Sequence, residues 1–460
     1  MIGKPRITHR LRGHSRLRSR HADDSRLKPL SVFAAMLSAS SVAAAPAEAA
    51  PPPSIPEVGS PALAAVGPNG VGVIEKTVVD KGAVDPLGTL AKGELVRADR
   101  TMPLVIWYPA QVGPKDRRAT YRASLVSEPP KPPAYFTVPA LAVADAKPAG
   151  QGYPIVLLSH GYNNDPVMLS WLGENLATKG YVVVAIRHRD PAITDTAQTP
   201  ATLIRRPLDI TYVLRRIRGG LLGPLGDTTR IALAGYSFGG YGALTVAGAE
   251  LDAASPAVKR LPPAMVDRYT GNGSEAAALH DPAIKAVVAI APAGGAPWAA
   301  WGGNGLSAIK APLLVVAGTA DRTVGYDPGP AAIFRDAKGS DRWLLALKGA
   351  GHAIGTNPAP AEMRGTVWDF DWFEDRMWRK PRVNSIALHF ITAFLDVQLK
   401  GDTAKAEYLA VPSEESDGAE WTSEDKRYDA VSEGGANPTW KGFVKDHQDG
   451  LLLKHLPPAP

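Results

Sequence analysis

The sequence predicts an α/β fold built on a mostly parallel central sheet, with helices on both faces and an antiparallel N-terminal edge. Three observations carry this expectation. From Tyr153 onward, short unbroken apolar runs alternate with helical segments, the pattern of strands buried on both faces. Ahead of them lie two runs rich in β-branched and aromatic residues with turn residues between them. Finally, Gly235-Tyr236-Ser237-Phe238-Gly239-Gly240 stands between an apolar run and a helical segment, where a sharp turn is needed.

The leading edge is read from Val71 to Asp80 and from Met102 to Tyr108. The parallel strands are Ile155 to Leu158, Val182 to Ile186, Ile231 to Ala234, Ala286 to Ile290, Leu313 to Ala317 and Trp343 to Leu347. Helices fit at Met168 to Lys179, Leu203 to Ile217, Tyr241 to Leu251 and Ser385 to Leu399, whose apolar residues recur at helical spacing. Residues 110 to 152 are Pro-rich and read as a surface excursion or a flap near the site. In open sheets of this kind, functional loops follow the carboxyl ends of the strands.

A chain of 460 residues exceeds what one core of about 250 to 300 residues needs, so one large domain with decorated ends is expected. The domain is placed at residues 71–405. Ahead of it, residues 1–49 carry a basic run, Leu30 to Leu37 as an apolar stretch, and small residues ending Ala45-Pro46-Ala47-Glu48-Ala49. That layout is an export signal with a long basic n-region, cleaved after Ala47 or Ala49; a basic cytoplasmic tail is the alternative. A periplasmic or secreted protein is therefore expected. The stretch is too short and too rich in Ser and Ala for a stable membrane span. Residues 50–70, dominated by Pro and Ala, read as a linker. Residues 406–460 read as a polar, acidic extension, in which Trp421, Trp440 and Phe443 leave room for docking.

Composition excludes several kinds of chemistry. The absence of cysteine removes disulfides, thiolate metal sites and a thiol nucleophile. The formal charge of +6 arises largely from the cations between Lys4 and Lys28, so no nucleic-acid partner is expected for the body of the chain. No His and carboxylate set has metal-ligand spacing, and neither metal nor cofactor is expected.

Ser237 is the candidate nucleophile, standing exposed where the glycines two before and two after it let the backbone fold back. A serine hydroxyl needs a base to take its proton and a carboxylate to orient that base. With this elbow the chain order is serine, acid, histidine. Asp321 follows the strand ending at Ala317, and His352 follows the strand ending at Leu347, so both sit on loops at the functional edge. Asp327 is the nearest rival acid; His280, His389, His447 and His455 read as surface or packing residues. For the oxyanion, the backbone amide of Phe238 is one expected donor, and the amide of Tyr162 in Ser159-His160-Gly161-Tyr162-Asn163 is the other.

Together these stretches resemble the α/β-hydrolase superfamily, and within it the bacterial relatives of platelet-activating-factor acetylhydrolase and the dienelactone-hydrolase-like proteins. The likeness rests on Leu104 to Ala110, Tyr153 to Tyr162, Leu176 to Asp190, Arg206 to Ile210 and the Gly235 to Gly240 elbow, spanning roughly residues 100 to 400. It implies a Ser237, Asp321 and His352 triad with Phe238 and Tyr162 as the oxyanion hole. The expected activity is serine-dependent hydrolysis of a carboxylic ester, small or lipid, through an acyl-enzyme. Thioester or peptide hydrolysis on the same triad is the alternative, and an inactive binding protein a more distant one. True dienelactone hydrolases use a cysteine, which this chain lacks, so that name says little about substrate.

Trp298 and Trp301, after the strand ending at Ile290, are candidates for the substrate pocket, with packing beneath a loop as the other reading. Trp368, Phe370, Trp372, Phe373 and Trp378 read as support for the last helix, or else as a substrate wall. Arg205, Arg206, Arg215, Arg216 and Arg218 read as a solvated helix face.

Overall fold

Every run read as a parallel strand joins one sheet in the computed structural model, which describes residues 50–126, 132–418, 439–444 and 447–459. The export-signal segment lies outside the described residues, as do Glu420, Trp421, Glu424 and Asp425. In chain order the strands are β1 (Gly70–Val84), β2 (Arg97–Ala110), β3 (Thr120–Leu125), β4 (Ala134–Pro139), β5 (Val143–Ala144) and β6 (Tyr153–Ser159). They continue with β7 (Val182–Ile186), β8 (Gly226–Tyr236), β9 (Ala286–Ile290), β10 (Leu313–Gly318), β11 (Arg342–Leu347) and β12 (Leu451–Leu456). The sheet order is β12-β11-β10-β9-β8-β6-β7-β2-β1-β5, with β3 and β4 pairing separately as a hairpin.

From β11 through β7 every pairing is parallel, while β2 runs antiparallel to both β7 and β1. This is the α/β-hydrolase fold. Alternate residues of the central strands go to opposite faces, and both faces are dry. In β8, Ala232 and Ala234 join the layer under the helices Ser170–Thr178 and Lys380–Leu395. Ile231 and Leu233 join the layer under Thr199–Arg216 and Phe238–Val246.

Both ends of the chain depart from expectation. Residues 50–70 are packed against the domain rather than acting as a free linker. Ser54 Oγ donates to the buried Glu174 carboxylate at 2.7 Å, Asn175 donates to the carbonyls of Ser54 and Ala64, and the Leu63 amide donates to His389 Nδ1 at 3.1 Å. A Pro- and Ala-rich segment brings no core of its own, but its small side chains and free carbonyls satisfy polar groups that two helices would otherwise bury unpaired. At the other end, β12 pairs antiparallel with β11 and closes the sheet edge, and Trp440 and Phe443 are buried against Phe390. The domain therefore reaches beyond residue 405.

The excursion between residues 110 and 152 contains the β3–β4 hairpin. Tyr121 on β3 accepts from Trp107 Nε1 at 2.7 Å and donates to Glu174 at 2.6 Å, tying the hairpin to the sheet. Burial raises the Glu174 carboxyl even so, against these bonds and the amides of Leu141 and Ala142. No helix among the described residues is long and apolar enough to cross a membrane.

Candidate active site

Strand β8 ends at Tyr236 and a helix begins at Phe238, leaving Ser237 alone in the turn. Its φ of 53° and ψ of −117° are sparsely populated for any residue with a Cβ, a strain that clusters at functional sites. The Ser237 amide donates to Ile290 O at 2.8 Å and pins the turn to β9. The flanking glycines are required by space. A Cβ on Gly235 would meet Gly239 O at 2.2 Å, and one on Gly239 would meet Ser159 O at 1.9 Å.

Because β8, β10 and β11 run parallel, the loops after them gather on one edge. His352 Nε2 lies 2.9 Å from Ser237 Oγ, and His352 Nδ1 lies 2.7 Å from Asp321 Oδ2. The other Asp321 oxygen accepts the amides of Thr323 at 2.8 Å and Val324 at 3.1 Å. Burial pushes the Asp321 carboxyl up, but the His352 hydrogen bond and charge and these amides outweigh it and hold it low. An ionised acceptor at Nδ1 fixes the tautomer, leaving Nε2 free to accept the serine proton. Tyr236 packs against the His352 ring at 5.3 Å and donates its hydroxyl to His352 O at 3.1 Å. Asp375 accepts the Gly351 amide at 2.6 Å, and the buried Lys380 donates to Ala353 O, so the histidine loop is held on both sides. Asp375 belongs to the Trp368 to Trp378 stretch read as support for the last helix, and Lys380 carries no sequence signal of this role.

Ser237 opens on a cavity of about 330 Å³ lined mainly by apolar groups, among them Tyr162, Ile193, Phe238, Ala293, Trp298 and Val324. Arg260 is the one charged side chain among the described residues lining it. Trp298 lines this cavity and Trp301 does not. It is 2% exposed, stacks on Tyr241 at 5.2 Å and donates to Thr245 Oγ1 at 3.1 Å, beneath the pocket wall. None of the described residues of 110–152, nor of the Trp368 to Trp378 stretch, lines this cavity.

Both residues expected to supply oxyanion donors, Phe238 and Tyr162, line the same cavity as Ser237. Phe238 is the first residue of its helix, where an amide has no intrahelical partner and the helix dipole favours negative charge. The Tyr162 amide makes no hydrogen bond among the described residues. A Cβ on Gly161 would displace the Asn164 side-chain amide and press on the Tyr236 ring.

Behind this loop is a polar network that sequence reading missed. Arg206, read as part of a solvated face, is 1% exposed and pairs with Asp190, its Nε donating to Oδ1 at 2.9 Å. Pro207 in the same helix cannot donate to Leu203 O, and the Tyr241 hydroxyl takes that place at 2.8 Å. Next to Arg206, Ser159 Oγ lies 3.0 Å from His188 Nε2, and His188 Nδ1 lies 2.9 Å from Asp209, which Arg100 clamps with two bonds. This second serine, histidine and aspartate set is sealed from solvent. Burial pushes His188 down to about 4 and His160 well below its ordinary value, so both rings are neutral. Among the described residues no group of three or more His or carboxylate side chains is placed to hold a metal ion.

The fold is that of the α/β-hydrolases, and part of the chain is similar to proteins of known kind. A PET hydrolase-like family model matches residues 146–260, the stretch from β6 through the elbow. Cutinase 1 of Thermobifida cellulosilytica is 30% identical over 95 residues, 21% of this chain and 34% of that protein. Cutinase est1 of Thermobifida alba is 34% identical over 96 residues, 21% of this chain and 30% of that protein. The chain thus spans about a third of the length of the curated relatives it matches. Among solved structures, a ferulic acid esterase from Streptomyces cinnamoneus aligns with a TM-score of 0.49 and 21% identity, over 72% of this chain and 90% of that one.

Proposed function

We propose that the protein is a serine-dependent carboxylic ester hydrolase that works through an acyl-enzyme. The observation that carries the reading is the hydrogen-bonded chain from Asp321 through His352 to Ser237, ending in a largely apolar pocket. In the first half-reaction Ser237 Oγ attacks the ester carbonyl carbon as His352 Nε2 takes its proton. The amides of Tyr162 and Phe238 receive the oxyanion. Collapse of the tetrahedral intermediate breaks the bond to the alcohol, which leaves with the proton from His352. Water then attacks the acyl carbon, with His352 again as base, and the acid departs from Ser237.

The names of the similar proteins add polyesters to the substrate classes worth testing, beside the small and lipid esters already expected. Export to the periplasm or medium is part of the same proposal, since a polymer or environmental lipid lies outside the cell. The test is a chain-length series of p-nitrophenyl esters, with thioester and peptide analogues alongside. Ester turnover, labelling by a fluorophosphonate and loss of both in Ser237→Ala are expected. Ester turnover that survives in Ser237→Ala would sink the assignment.

A further inference from the structure

We propose that Arg206 is a positioning residue for the oxyanion hole: it captures the carbonyl side of the peptide whose N–H is the Tyr162 donor. The inference rests on the esterase reading above and names a part of that site which neither the elbow nor the triad supplies.

Arg206 Nη1 donates to His160 O at 2.7 Å, and Nη2 donates to Gly161 O at 3.1 Å. The Gly161 carbonyl and the Tyr162 N–H belong to one planar trans peptide, so they point in opposite directions. Holding the carbonyl from the buried side therefore fixes the N–H towards the other side, where Tyr162 lines the pocket. His160 Nδ1 lies 2.7 Å from the same Gly161 carbonyl, and His160 Nε2 accepts the His188 amide at 3.0 Å. Nε2 is thus an acceptor, and the ring proton sits on Nδ1. Gly161 O consequently accepts two hydrogen bonds, one from a desolvated cation, which polarises the peptide and makes its N–H a stronger donor.

The guanidinium is itself held fast. Asp190 takes Nε and Nη2 and also accepts the Asn163 amide at 3.3 Å, so the loop is clamped on both sides of Tyr162. The guanidinium carbon lies 5.2 Å from the Phe238 ring centroid, so the side chain that holds the Gly161–Tyr162 peptide also lies against the residue after Ser237.

The experiment compares an activated ester with its thionoester, in which sulfur replaces the carbonyl oxygen and accepts hydrogen bonds poorly. Arg206→Lys is expected to keep Tm within a few degrees and KM within about threefold. Its kcat on the oxygen ester should fall about 100-fold, the usual scale for an oxyanion donor. Turnover of the thionoester should fall far less, so the preference for oxygen collapses. Equal losses on both esters, or an unchanged kcat, would overturn the proposal. If Arg206→Lys does not accumulate folded, Asp190→Asn keeps the guanidinium while weakening both its anchor and the Asn163 contact, and is expected to show the same selective loss to a smaller degree. A parent protein inert on both esters and unlabelled at Ser237 overturns the esterase reading and this one with it. An active parent with parallel losses overturns the role of Arg206 alone.

Discussion

Gly239 passes so close to Ser159 that a Cβ built on it would stand 1.9 Å from the Ser159 carbonyl oxygen. The contact joins the helix after Ser237 to the end of β6, where the loop to Tyr162 starts. Gly239→Ala must therefore move one of the two. Overpacking of this kind costs about 1 to 3 kcal/mol, and the displaced donors should cut kcat by about 100-fold or more. Thermal unfolding and steady-state kinetics check both effects; an alanine variant with parental kcat would show that the contact does not set the geometry.

Asp321→Asn leaves the shape of the loop but replaces an ionised acceptor with an amide. The His352 tautomer is then no longer enforced, and kcat is expected to fall by about 10⁴ with little change in Tm. Asp327→Asn, at the rival acid, is expected to stay within about twofold of the parent.

The two tryptophans near the site should separate cleanly. Trp298→Ala enlarges the pocket and is expected to shift the preferred acyl length in the p-nitrophenyl series. Trp301→Ala removes a buried ring stacked on Tyr241 and should cost about 3 to 5 kcal/mol of stability, read from denaturant unfolding.

Arg260 is the one charge on an otherwise neutral pocket wall among the described residues, and no acid pairs with it there. We predict that esters carrying a carboxylate away from the scissile bond bind better than neutral ones of equal length. Arg260→Gln should raise KM for the anionic esters several-fold at unchanged kcat and leave the neutral ones alone. Equal KM changes for both would count against a role in recognition.

Stability should fall on acidification before the Asp321 carboxylate is titrated. His188 is depressed to about 4 in the fold, against an ordinary value near 6.5 in the unfolded chain. The unfolded state therefore binds the extra proton first. The stabilisation is complete above about pH 6.5 and is lost progressively down to about pH 4, amounting to about 3 kcal/mol for this group. His160, held low by burial and by the Arg206 charge, acts in the same direction. Asp190 follows, since Arg206 outweighs the burial that would raise it. Unfolding midpoints across pH 4 to 7 should decline as pH falls, and a flat profile would show that these rings ionise freely.

How much of this was legible in the sequence depends on how local the cause is. The β6 to β11 strands could be read because a strand buried on both faces must be apolar throughout. Ser237 could be read because two glycines in five residues answer to a turn that needs them. Asp321 and His352 followed from chain order, since a parallel sheet brings every strand's carboxyl end to one edge and so places distant residues together.

The parts that could not be read are those whose partners lie far off in the chain. Arg206 looks like its neighbours Arg205 and Arg215 on paper; only the approach of residues 160, 161 and 190 turns it inward. Trp298 and Trp301 are three residues apart, yet one lines the cavity and the other lies beneath it, a difference set by Tyr241 and Thr245. Residues 50–70 and β12 look like loose ends until Glu174, Asn175 and the free edge of β11 are there to receive them. The sequence alone determined the parallel sheet, the elbow and the strand ends that carry Ser237, Asp321 and His352, because backbone geometry and strand direction are local. Which polar side chains are buried, and what they hold in place, was decided by the tertiary structure, because a buried charge persists only where the fold delivers its partners.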